Sequence, residues 1–472
     1  MPIPVISVAQ MRELEEMTWA SGLTEDGVMR RAGTAVARWA EQMSRPDALV
    51  LFLAGKGHNG DDAAFACEFI QGRRKELLRV LDPEEGLREL ETQLQRKPSL
   101  IVDGLFGIGL NRPLSGGWMN YIDRVNQSGI AVLAVDVPSG LNADSGLPQP
   151  VAVRAERTVT FAALKQGLLR PDAAAFVGRL EVADDIGILP CPFETELNTI
   201  SARDFVAYPP RRPVTGHKGT FGHLILIAGS PGYHGAAVLA ARGAQRAQPG
   251  LITLRAHEAV RMPVAAQLQS VIVHAGPEEF ILPESCTAVV VGPGLAWPGL
   301  PEHFRNSIRR LWQDSPLAVV ADASALDWLP EGPCQADAIR VITPHPGEAA
   351  RMLKMPTAAV QTDRLTALRE LSRRWGNCHV VLKGHHTLTG RGSEKVWVNL
   401  SGNPHLAQGG SGDVLAGYLG GLLAQPELQR DAARAIQFAV WQHGAAADRL
   451  TARRGNWVVE ELVDALGKVK AR

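Results

Sequence analysis

One stretch of the chain places three glycines directly before a single carboxylate. Residues 409–417 read Gly-Gly-Ser-Gly-Asp-Val-Leu-Ala-Gly, so small apolar residues follow Asp413 at once. Glycines leave backbone N–H groups open to a phosphate because no Cβ blocks its approach. The start of a helix adds a positive dipole end at the same place. We therefore predict that Asp413 lies beside a phosphoryl group and takes a proton from an attacking hydroxyl. The alternative is a plain helix cap, a common use of aspartate.

Polar or glycine-rich turns follow five predicted strands in the second half of the sequence. These turns are residues 229–237, 292–295, 322–326, 343–348 and 383–387. Ligands of open parallel sheets bind beyond the carboxyl ends of the strands, so we expect these turns to line one crevice. The sequence GxxxxGK[ST] does not occur, which argues against a Walker-type nucleotide site.

Three clusters of glycines and oxygen-bearing side chains follow strands in the first half. They are residues 55–62, 102–113 and 135–142. Each cluster offers oxygen ligands close to glycines, and the first has the geometry of a phosphate-binding turn at the start of a helix. The first cluster leads into a helix predicted at residues 63–70. Its acids Asp61 and Asp62 would oppose an anion at the helix start, so an acid-rich helix cap is the alternative.

Short apolar strands alternate with helices along the whole chain, which predicts mainly parallel sheets covered on both faces. A capping box at residues 7–10 opens the first helix. Strands of the first half are predicted at residues 48–54, 77–81, 99–102, 130–135 and 157–161. Strands of the second half are predicted at residues 222–228, 251–254, 288–291, 317–321, 340–342 and 378–382. Helices of the second half are predicted at residues 234–247, 301–313, 362–375, 411–424 and 431–450.

A proline-rich segment separates the two halves. Pro209, Pro210 and Pro213 cannot lie inside a helix or a central strand. We therefore predict two α/β domains, residues 1–208 and 217–472, joined by a linker at residues 209–216. Each is of a size that folds alone.

Composition restricts the class of protein. The 472 residues include 49 Lys plus Arg and 49 Asp plus Glu, which argues against a basic nucleic-acid-binding surface. The five cysteines are scattered, as expected in a reducing compartment. The sequence shows neither a secretory signal nor an apolar run long enough for a membrane span. A cytoplasmic protein is expected.

The motifs of the second half together resemble the NAD(P)H-hydrate dehydratases, which have a ribokinase-like α/β fold. The resemblance covers residues 214–470 and rests on residues 343–348, 383–387, 403–407 and 409–417. It implies that hydrated NAD(P)H, called NAD(P)HX, is phosphorylated on its ring hydroxyl and then loses phosphate, which restores the double bond. ADP as phosphoryl donor, giving AMP, and Mg²⁺ are also implied. The motifs alone leave ADP and ATP open.

This resemblance also implies roles for individual residues. Asp413 would be the base that deprotonates the ring hydroxyl. The residues contacting the hydrate would be Ala236, Gly294, His345 and Asp413. The residues holding the adenine nucleotide would be Lys383, Gly384, His385, His386, Thr387 and Gly412.

The clusters of the first half resemble the NAD(P)HX epimerase domain, a Rossmann-like three-layer sandwich, over residues 10–208. The sequence VDxPSGLxAxxG at residues 135–146 is the most specific piece. The resemblance implies Asp136 as a proton-transfer group at the nicotinamide end and Lys165 as a neighbour of the site. It implies K⁺ ligands: Asn59, Asp103 and Ser139. It implies substrate-binding residues: His58, Asn59, Gly60, Asp61, Asp62, Gly107, Ile108, Gly109, Leu110, Asn111, Arg112, Pro113 and Asp136.

One segment departs from the epimerase pattern. Asp61 and Ala63 stand where the family's NNGGDG sequence has glycines. A non-catalytic first domain attached to a ribokinase-like vitamin or sugar kinase is therefore the alternative. The expected function is epimerisation of R- and S-NAD(P)HX and ADP-dependent dehydration of S-NAD(P)HX. Small-molecule substrates, a homo-oligomer and no nucleic-acid or membrane partner are expected.

Overall fold

The computed structural model describes residues 3–276, 281–335 and 337–471, and the chain separates into two compact units at residues 199 and 200. The domain and linker bounds drawn from the sequence stay a prediction. No helix among the described residues is long and apolar enough to cross a membrane.

The first unit alternates strands and helices. Its strands are β1 (Ile3–Ile6), β2 (Leu49–Ala54), β3 (Arg74–Arg79), β4 (Leu100–Gly104), β5 (Val132–Val135), β6 (Arg157–Phe161), β7 (Leu164–Lys165), β8 (Arg179–Ala183) and β9 (Leu197–Ile200). Its helices are α1 (Val8–Ala20), α2 (Glu25–Met43), α3 (His58–Phe69), α4 (Pro83–Gln95), α5 (Gly116–Gln127) and α6 (Ala174–Val177).

A parallel sheet in the order β3-β2-β4-β5-β6-β8 forms the middle layer of this unit. Side chains of a strand alternate between faces, so β2 contributes to two cores. Val50 and Phe52 share a core with α2 and α3, whereas Leu51 and Leu53 share one with α4 and α5. The first unit is therefore the three-layer α/β sandwich that its buried strands predict.

A short ladder outside this sheet places the start of α1. Strand β1 pairs in parallel with β7, with Ile6 opposite Lys165, and antiparallel with β9. Helix α1 then begins at Val8, and Ser7 and Gln10 form the predicted capping box. The beginning of α1 therefore lies close to Lys165.

The second unit contains the remaining elements. Its strands are β10 (His223–Ile227), β11 (Leu251–Ala256), β12 (Ile272–Ala275), β13 (Ala288–Val291), β14 (Ala318–Ala321), β15 (Arg340–Ile342), β16 (His379–Leu382), β17 (Leu388–Arg391) and β18 (Val396–Asn399). Its helices are α7 (His234–Ala247), α8 (Glu258–Ala265), α9 (Glu302–Asp314), α10 (Pro346–Leu353), α11 (Thr357–Thr362), α12 (Arg364–Arg374), α13 (Ser411–Leu423), α14 (Pro426–Gln429), α15 (Ala432–Thr451) and α16 (Val459–Ala465).

Strands of this unit follow the order β12-β11-β10-β13-β14-β15-β16-β17-β18. Pairing is parallel from β12 to β16 and antiparallel from β16 to β18. The carboxyl ends of β10, β13, β14, β15 and β16 therefore share one edge. The five polar turns predicted from the sequence leave from that edge.

Helix α13 packs unusually closely on α7, which explains the small residues after Asp413. A Cβ on Gly417 would lie 1.8 Å from the carbonyl oxygen of Ala240, and one on Gly243 would lie 2.3 Å from that of Val414. Larger side chains at either glycine would separate the helices. This contact anchors the beginning of α13 and the glycine turn before it.

The strands and helices predicted from the sequence differ from those of the structure mostly in where they begin and end. One difference concerns a site: α3 begins at His58, whereas the sequence predicts a turn up to residue 62 and a helix from residue 63. Gly57 caps α3 without a side-chain hydrogen bond, so the usual sequence signal of a helix start is missing. Short strands such as β7, β17 and β18 carry too few residues for a clear alternating pattern.

Candidate active sites

Asp413 lies in the first turn of α13, directly after a glycine turn. Gly410 precedes the helix with a φ of 97°, a left-handed conformation that favours glycine. The pKa of Asp413 is raised to about 7, mainly by burial and also by the nearby carboxylate of Asp322, while the ammonium of Lys383 opposes both effects. A carboxyl group with such a pKa is suited to proton transfer near neutral pH.

Lys383 connects the acids around Asp413. Its Nζ lies 2.8 Å from Oδ1 of Asp322 and 3.9 Å from Oε2 of Glu348. Thr343 donates to the same Asp322 oxygen over 2.7 Å. A Cβ on Gly412 would lie 3.4 Å from the Lys383 Nζ, so the ammonium lies directly beside the glycine turn. The ends of β14, β15 and β16 thus meet the start of α13, as the sequence predicts.

His345 starts α10 at the same edge of the sheet. Its Nδ1 accepts from the backbone amides of Gly347 and Glu348 over 3.0 and 3.3 Å. Glu348 in turn accepts from the His345 amide over 2.7 Å. The ring is half exposed, and its Nε2 lies 3.5 Å from Glu348 Oε1. His345 is therefore held in place with one ring edge open to solvent.

Ala236 and Gly294 lie close together at the same carboxyl-end edge of the sheet. Gly294 has a φ of 65°, and a Cβ there would lie 2.8 Å from the Ala236 Cβ. The buried hydroxyl of Ser230 donates to the Gly294 carbonyl over 2.7 Å. The adjoining Gly292 packs against the Asp322 carbonyl, where a Cβ would lie 1.7 Å away. The turns after β10, β13 and β14 are therefore in contact.

Residues 383–387 form a loop organised by Arg364, which the sequence analysis missed. Its guanidinium donates to the carbonyls of Leu382, Lys383 and His386 over 3.0, 3.2 and 3.0 Å, and also to that of His385. Burial lowers the pKa of Arg364 to about 10. Arg364 is the first residue of α12, and the carbonyls that it contacts lie eighteen or more residues later in the sequence. Only the fold therefore brings the guanidinium to this loop.

The paired histidines of this loop have adjacent rings. The ring centroids of His385 and His386 lie 3.8 Å apart. Burial lowers the pKa of both, and the charge of Arg364 adds to the effect. The two tilted rings therefore lie together two and three residues after Lys383.

His443 of α15 supports the glycine turn. Its Nε2 donates to the carbonyl oxygen of Ser411 over 3.0 Å, while the Ser411 hydroxyl donates to the Leu406 carbonyl over 2.8 Å. Burial lowers the pKa of His443 to about 4, so the ring is neutral at physiological pH. The turn before Asp413 is therefore attached to two other segments of the unit.

The first unit contains a cleft of about 560 Å³ at the carboxyl ends of β2, β4 and β5. Ten of the substrate residues predicted for this unit line it: His58, Asn59, Asp62, Gly107, Ile108, Gly109, Leu110, Asn111, Arg112 and Asp136. The cleft is also lined by residues that the sequence motifs did not predict: Glu15, Trp19, Glu25, Trp118, Ile186 and Ile188. Trp19 and Glu15 lie on α1, far from the predicted clusters in sequence, and no motif marks them.

Asp136 and Lys165 form a buried ion pair in this cleft. Lys165 Nζ lies 2.6 Å from Asp136 Oδ1, and none of its side chain is exposed. The same oxygen accepts from the Thr160 hydroxyl over 3.0 Å and from the Phe161 amide over 3.2 Å. Asp136 has a φ of 60°, an uncommon value for a residue with a side chain. The chain therefore turns sharply after β5 and presents this carboxylate to the cleft.

Asp103, Ser139 and Asn59 come together beneath the cleft. Asp103 is fully buried and accepts from the Ser139 hydroxyl over 2.6 Å and the Ser139 amide over 2.8 Å. Burial raises its pKa to about 6, against the effect of these hydrogen bonds. Asn59 donates to the carbonyl of Phe106 over 2.9 Å. The groups that donate hydrogen bonds to Asp103 carry no charge. The buried Asp103 carboxylate is therefore suited to a cation bound among the oxygens of Asp103, Ser139 and Asn59.

Three predicted substrate residues do not line the cleft. Asp61 points to the other side of α3 and forms an exposed 2.9 Å ion pair with Arg79. A Cβ on Gly60 would lie 2.2 Å from the Gly55 carbonyl, so this glycine serves close backbone packing. Pro113 lies beyond the lining segment, which ends at Arg112. The charge of Asp61 therefore does not face a substrate phosphate in the cleft.

Both halves of the chain match known families. A family model described as NAD(P)H-hydrate dehydratase matches residues 224–468. A second model, described as YjeF-related protein N-terminus, matches residues 25–96 and 71–167.

Individual relatives and solved structures are also similar to this chain. The chain is 35% identical over 477 residues to a bifunctional NAD(P)H-hydrate repair enzyme of Coxiella burnetii, with 94% of each chain covered. A ribokinase-like superfamily protein of Enterococcus faecalis has a TM-score of 0.50 and 22% identity, over 58% of this chain and 96% of that one. An ADP/ATP-dependent NAD(P)H-hydrate dehydratase of Bacillus subtilis, co-crystallised with ATP/Mg²⁺, has a TM-score of 0.49 and 30% identity, over 55% of this chain and 92% of that one.

Fold and sites together define a two-domain α/β enzyme whose second domain is ribokinase-like, which confirms the predicted fold class. The chain belongs to the family of bifunctional NAD(P)H-hydrate repair enzymes, as its motifs predict. This membership favours a repair enzyme over a vitamin or sugar kinase with a non-catalytic first domain.

Proposed function

We propose that the second unit dehydrates S-NAD(P)HX with an adenine nucleotide as phosphoryl donor, and that the first unit interconverts R- and S-NAD(P)HX. The observation that carries the first activity is the position of Asp413. It lies at the start of α13, behind a glycine turn and among Asp322, Lys383 and Glu348. Family membership supports the same pair of activities.

Asp413 acts as the base of the dehydratase. Its ionised form accepts the proton of the ring hydroxyl, whose oxygen then attacks the terminal phosphorus of the nucleotide. The bond from this phosphorus to the bridging oxygen breaks, so AMP leaves when ADP is the donor and ADP leaves when ATP is the donor. The phosphate ester is a better leaving group than hydroxide. Phosphate leaves the ring carbon and the adjacent ring carbon loses a proton to water, which restores the ring double bond. Backbone amides of the glycine turn and the dipole of α13 stabilise charge on the transferred phosphoryl group.

The remaining residues of this site position the two substrates. Lys383 and Gly412 lie beside the transferred phosphoryl group, and the loop of residues 383–387 holds the nucleotide. Ala236, Gly294 and His345 contact the hydrate, with Ala236 and Gly294 offering little side-chain bulk. In this assignment Asp322 and Thr343 keep the Lys383 ammonium directed at the glycine turn.

Mg²⁺ is expected with the nucleotide rather than in a site of its own. Among the described residues, no group of three or more His, Cys, Asp or Glu side chains is placed to hold a metal ion. Mg²⁺ commonly binds through one or two carboxylates together with substrate phosphates, and Glu348, near Lys383, provides a carboxylate of that kind. The ion neutralises phosphoryl charge when it is bound.

In the first unit, Asp136 is the proton-transfer group of the epimerase. Lys165, Thr160 and the Phe161 amide all contact one of its oxygens, which orients the carboxylate toward the cleft. Asn59, Asp103 and Ser139 hold K⁺, which compensates the buried charge of Asp103. His58, Asn59, Asp62 and residues 107–112 surround the phosphates and ribose, and Gly60 contributes through the close packing of α3 against Gly55.

One assay tests the dehydratase directly. The full chain is incubated with S-NADHX, Mg²⁺ and either ADP or ATP, and regenerated NADH is followed by its absorbance. We expect NADH to appear with AMP or ADP as the respective product, and the two rates decide the preferred donor. Phosphorylation of a free vitamin or sugar without NADH recovery would favour the kinase alternative.

The epimerase is tested without any adenine nucleotide, so that dehydration cannot occur. Pure R-NADHX is incubated with the chain and the S hydrate is followed by chromatography. Interconversion faster than the uncatalysed rate supports the proposal. An uncatalysed rate in the presence of the chain would show that the first unit is a binding module.

A further inference from the structure

Glu15 of α1 is an ionisable group in the epimerase cleft that the family motifs leave unassigned. Its carboxyl group is half-buried and lines the same cleft as Asp136 and Lys165. The neighbouring acids Glu13 and Glu16 are exposed to solvent. Only one of the three glutamates in this part of α1 therefore faces the site.

The packing of α1 explains this placement. Met11 and Leu14 lie in one core cluster with Ala162 and Ala163, the turn that leads into Lys165. Glu15 is one turn after Met11, on the side of α1 that adjoins the cleft. The capping box and a 2.9 Å hydrogen bond from the Val8 amide to Asp144 hold the start of the helix. The position of Glu15 is therefore a consequence of packed structure.

Charged groups surround Glu15 from several elements. Burial raises its pKa, with Lys165 opposing and Asp136 adding to the shift; His58 and Arg12 also oppose it. Asp62 of α3 is a further neighbour, since Glu15 in turn raises the pKa of that buried carboxyl. Glu15 thus retains a proton at higher pH than an ordinary glutamate does.

Epimerisation of the hydrate requires an acid as well as a base. Water adds to the ring carbon attached to nitrogen, and the two hydrates differ in the face that carries the hydroxyl. Hydroxide is a poor leaving group, so departure of this oxygen needs a proton. Asp136 receives three hydrogen bonds on one oxygen, one of them from an ammonium, which hold its carboxylate in place in the cleft.

We propose that Glu15 is the general acid of the epimerase and Asp136 its base, an inference that rests on the proposed function of the first unit. Glu15 gives its proton to the hydroxyl oxygen. The carbon–oxygen bond breaks, water leaves, and the nitrogen lone pair forms a carbon–nitrogen double bond. A water molecule then attacks the opposite face and loses a proton to Asp136. Exchange with solvent removes this proton from Asp136 and returns one to Glu15. Glu15 on α1 and Asp136 after β5 line the same cleft, as the two roles require.

The test compares Glu15→Gln with Glu16→Gln, an exposed neighbour on the same helix. Interconversion of R- and S-NADHX is followed without nucleotide from pH 5.5 to 8.5. We expect Glu15→Gln to slow it about 100-fold or more at pH 7, since general acids contribute on that scale. We expect it also to remove the fall in rate toward high pH, whereas Glu16→Gln behaves as the unaltered chain.

Additional measurements separate catalysis from folding. Glu15→Gln should dehydrate S-NADHX with ADP at the unaltered rate, and Glu15→Asp should restore part of the epimerase activity. A rate for Glu15→Gln within threefold of the unaltered chain overturns the proposal, and so does a slower reaction that keeps the original pH profile. Absence of interconversion by the unaltered chain would instead refute the proposed function of the first unit, and this inference with it.

Discussion

Lys383 Nζ lies 2.8 Å from Asp322 Oδ1 and directly beside Gly412, one residue before Asp413. The ion pair joins the ends of β14 and β16 to the start of α13. The carboxylate of Asp322 raises the pKa of Asp413, and the ammonium of Lys383 lowers it. Together with burial, which is the largest effect, they give Asp413 a pKa of about 7. The pKa of Asp413 therefore depends on residues from distant parts of the second half of the sequence.

Replacing Asp413 by Asn should abolish dehydration with little change in nucleotide binding. The amide cannot accept the hydroxyl proton, so we expect a loss of about 10²–10⁴-fold in NADH recovery, the scale of general base catalysis. Nucleotide affinity is measured by calorimetry. Asp314→Asn, an exposed aspartate of the same unit, is the control. Turnover within a few-fold of the unaltered chain would refute Asp413 as the base.

The rate of dehydration at saturating substrates should rise with pH through about 7. The base is active when ionised, and the pKa of Asp413 is about 7. Below that pH the active fraction falls about tenfold per pH unit, and above it the rate reaches a plateau. A rate that is constant between pH 5.5 and 8 would contradict this account.

Asp413→Asn should also make the second unit more stable at pH 8 than the unaltered chain. The unfolded chain ionises Asp413 near the ordinary pKa of 3.8, whereas the folded chain holds the proton up to about pH 7. The unaltered protein therefore loses stability as pH rises between these values, and the variant does not. Melting temperatures without nucleotide should differ most at pH 8 and least at pH 4. A lower melting temperature of the variant at pH 8 would contradict the prediction.

Lys165→Met should destabilise the first unit and stop epimerisation. The substitution leaves the Asp136 carboxylate nearly buried without its ammonium partner, and breaking such a pair costs about 3–5 kcal/mol. Denaturant unfolding measures the loss. Asp136→Asn added to Lys165→Met should recover part of the stability, and Lys75→Met, an exposed lysine of β3, should have little effect. Equal stabilities of the single and double variants would argue against an unpaired charge as the cause.

Epimerase activity should depend on K⁺ through Asp103. Replacing K⁺ by a large organic cation in the buffer should lower the rate of the unaltered chain, because the buried Asp103 carboxylate then lacks compensation. Asp103→Asn should be slow in either buffer and insensitive to K⁺. Full activity of the unaltered chain without alkali cations would contradict the assignment of a K⁺ site at Asp103.

Much of the fold follows from local sequence. Runs of apolar residues predict the central parallel strands, and glycine and proline predict their turns, because side-chain alternation and φ preferences act within a few residues. Asp413, Asp136 and the glycines around them are recognisable for the same reason: each site segment is contiguous. Family membership also follows from such contiguous motifs.

Tertiary structure decides what those segments contact. Arg364, His443 and Glu15 lie outside the site motifs that are recognisable in the sequence. Only the packing of α12, α15 and α1 brings them to the sites. The orientation of Asp61 is decided the same way, since the first turns of α3 direct its carboxylate to Arg79 and away from the cleft. The sequence determined which chemical groups are available, because composition and spacing are local properties. Their distances, burial and pKa values depend on residues far apart in the chain, so only the folded structure established them.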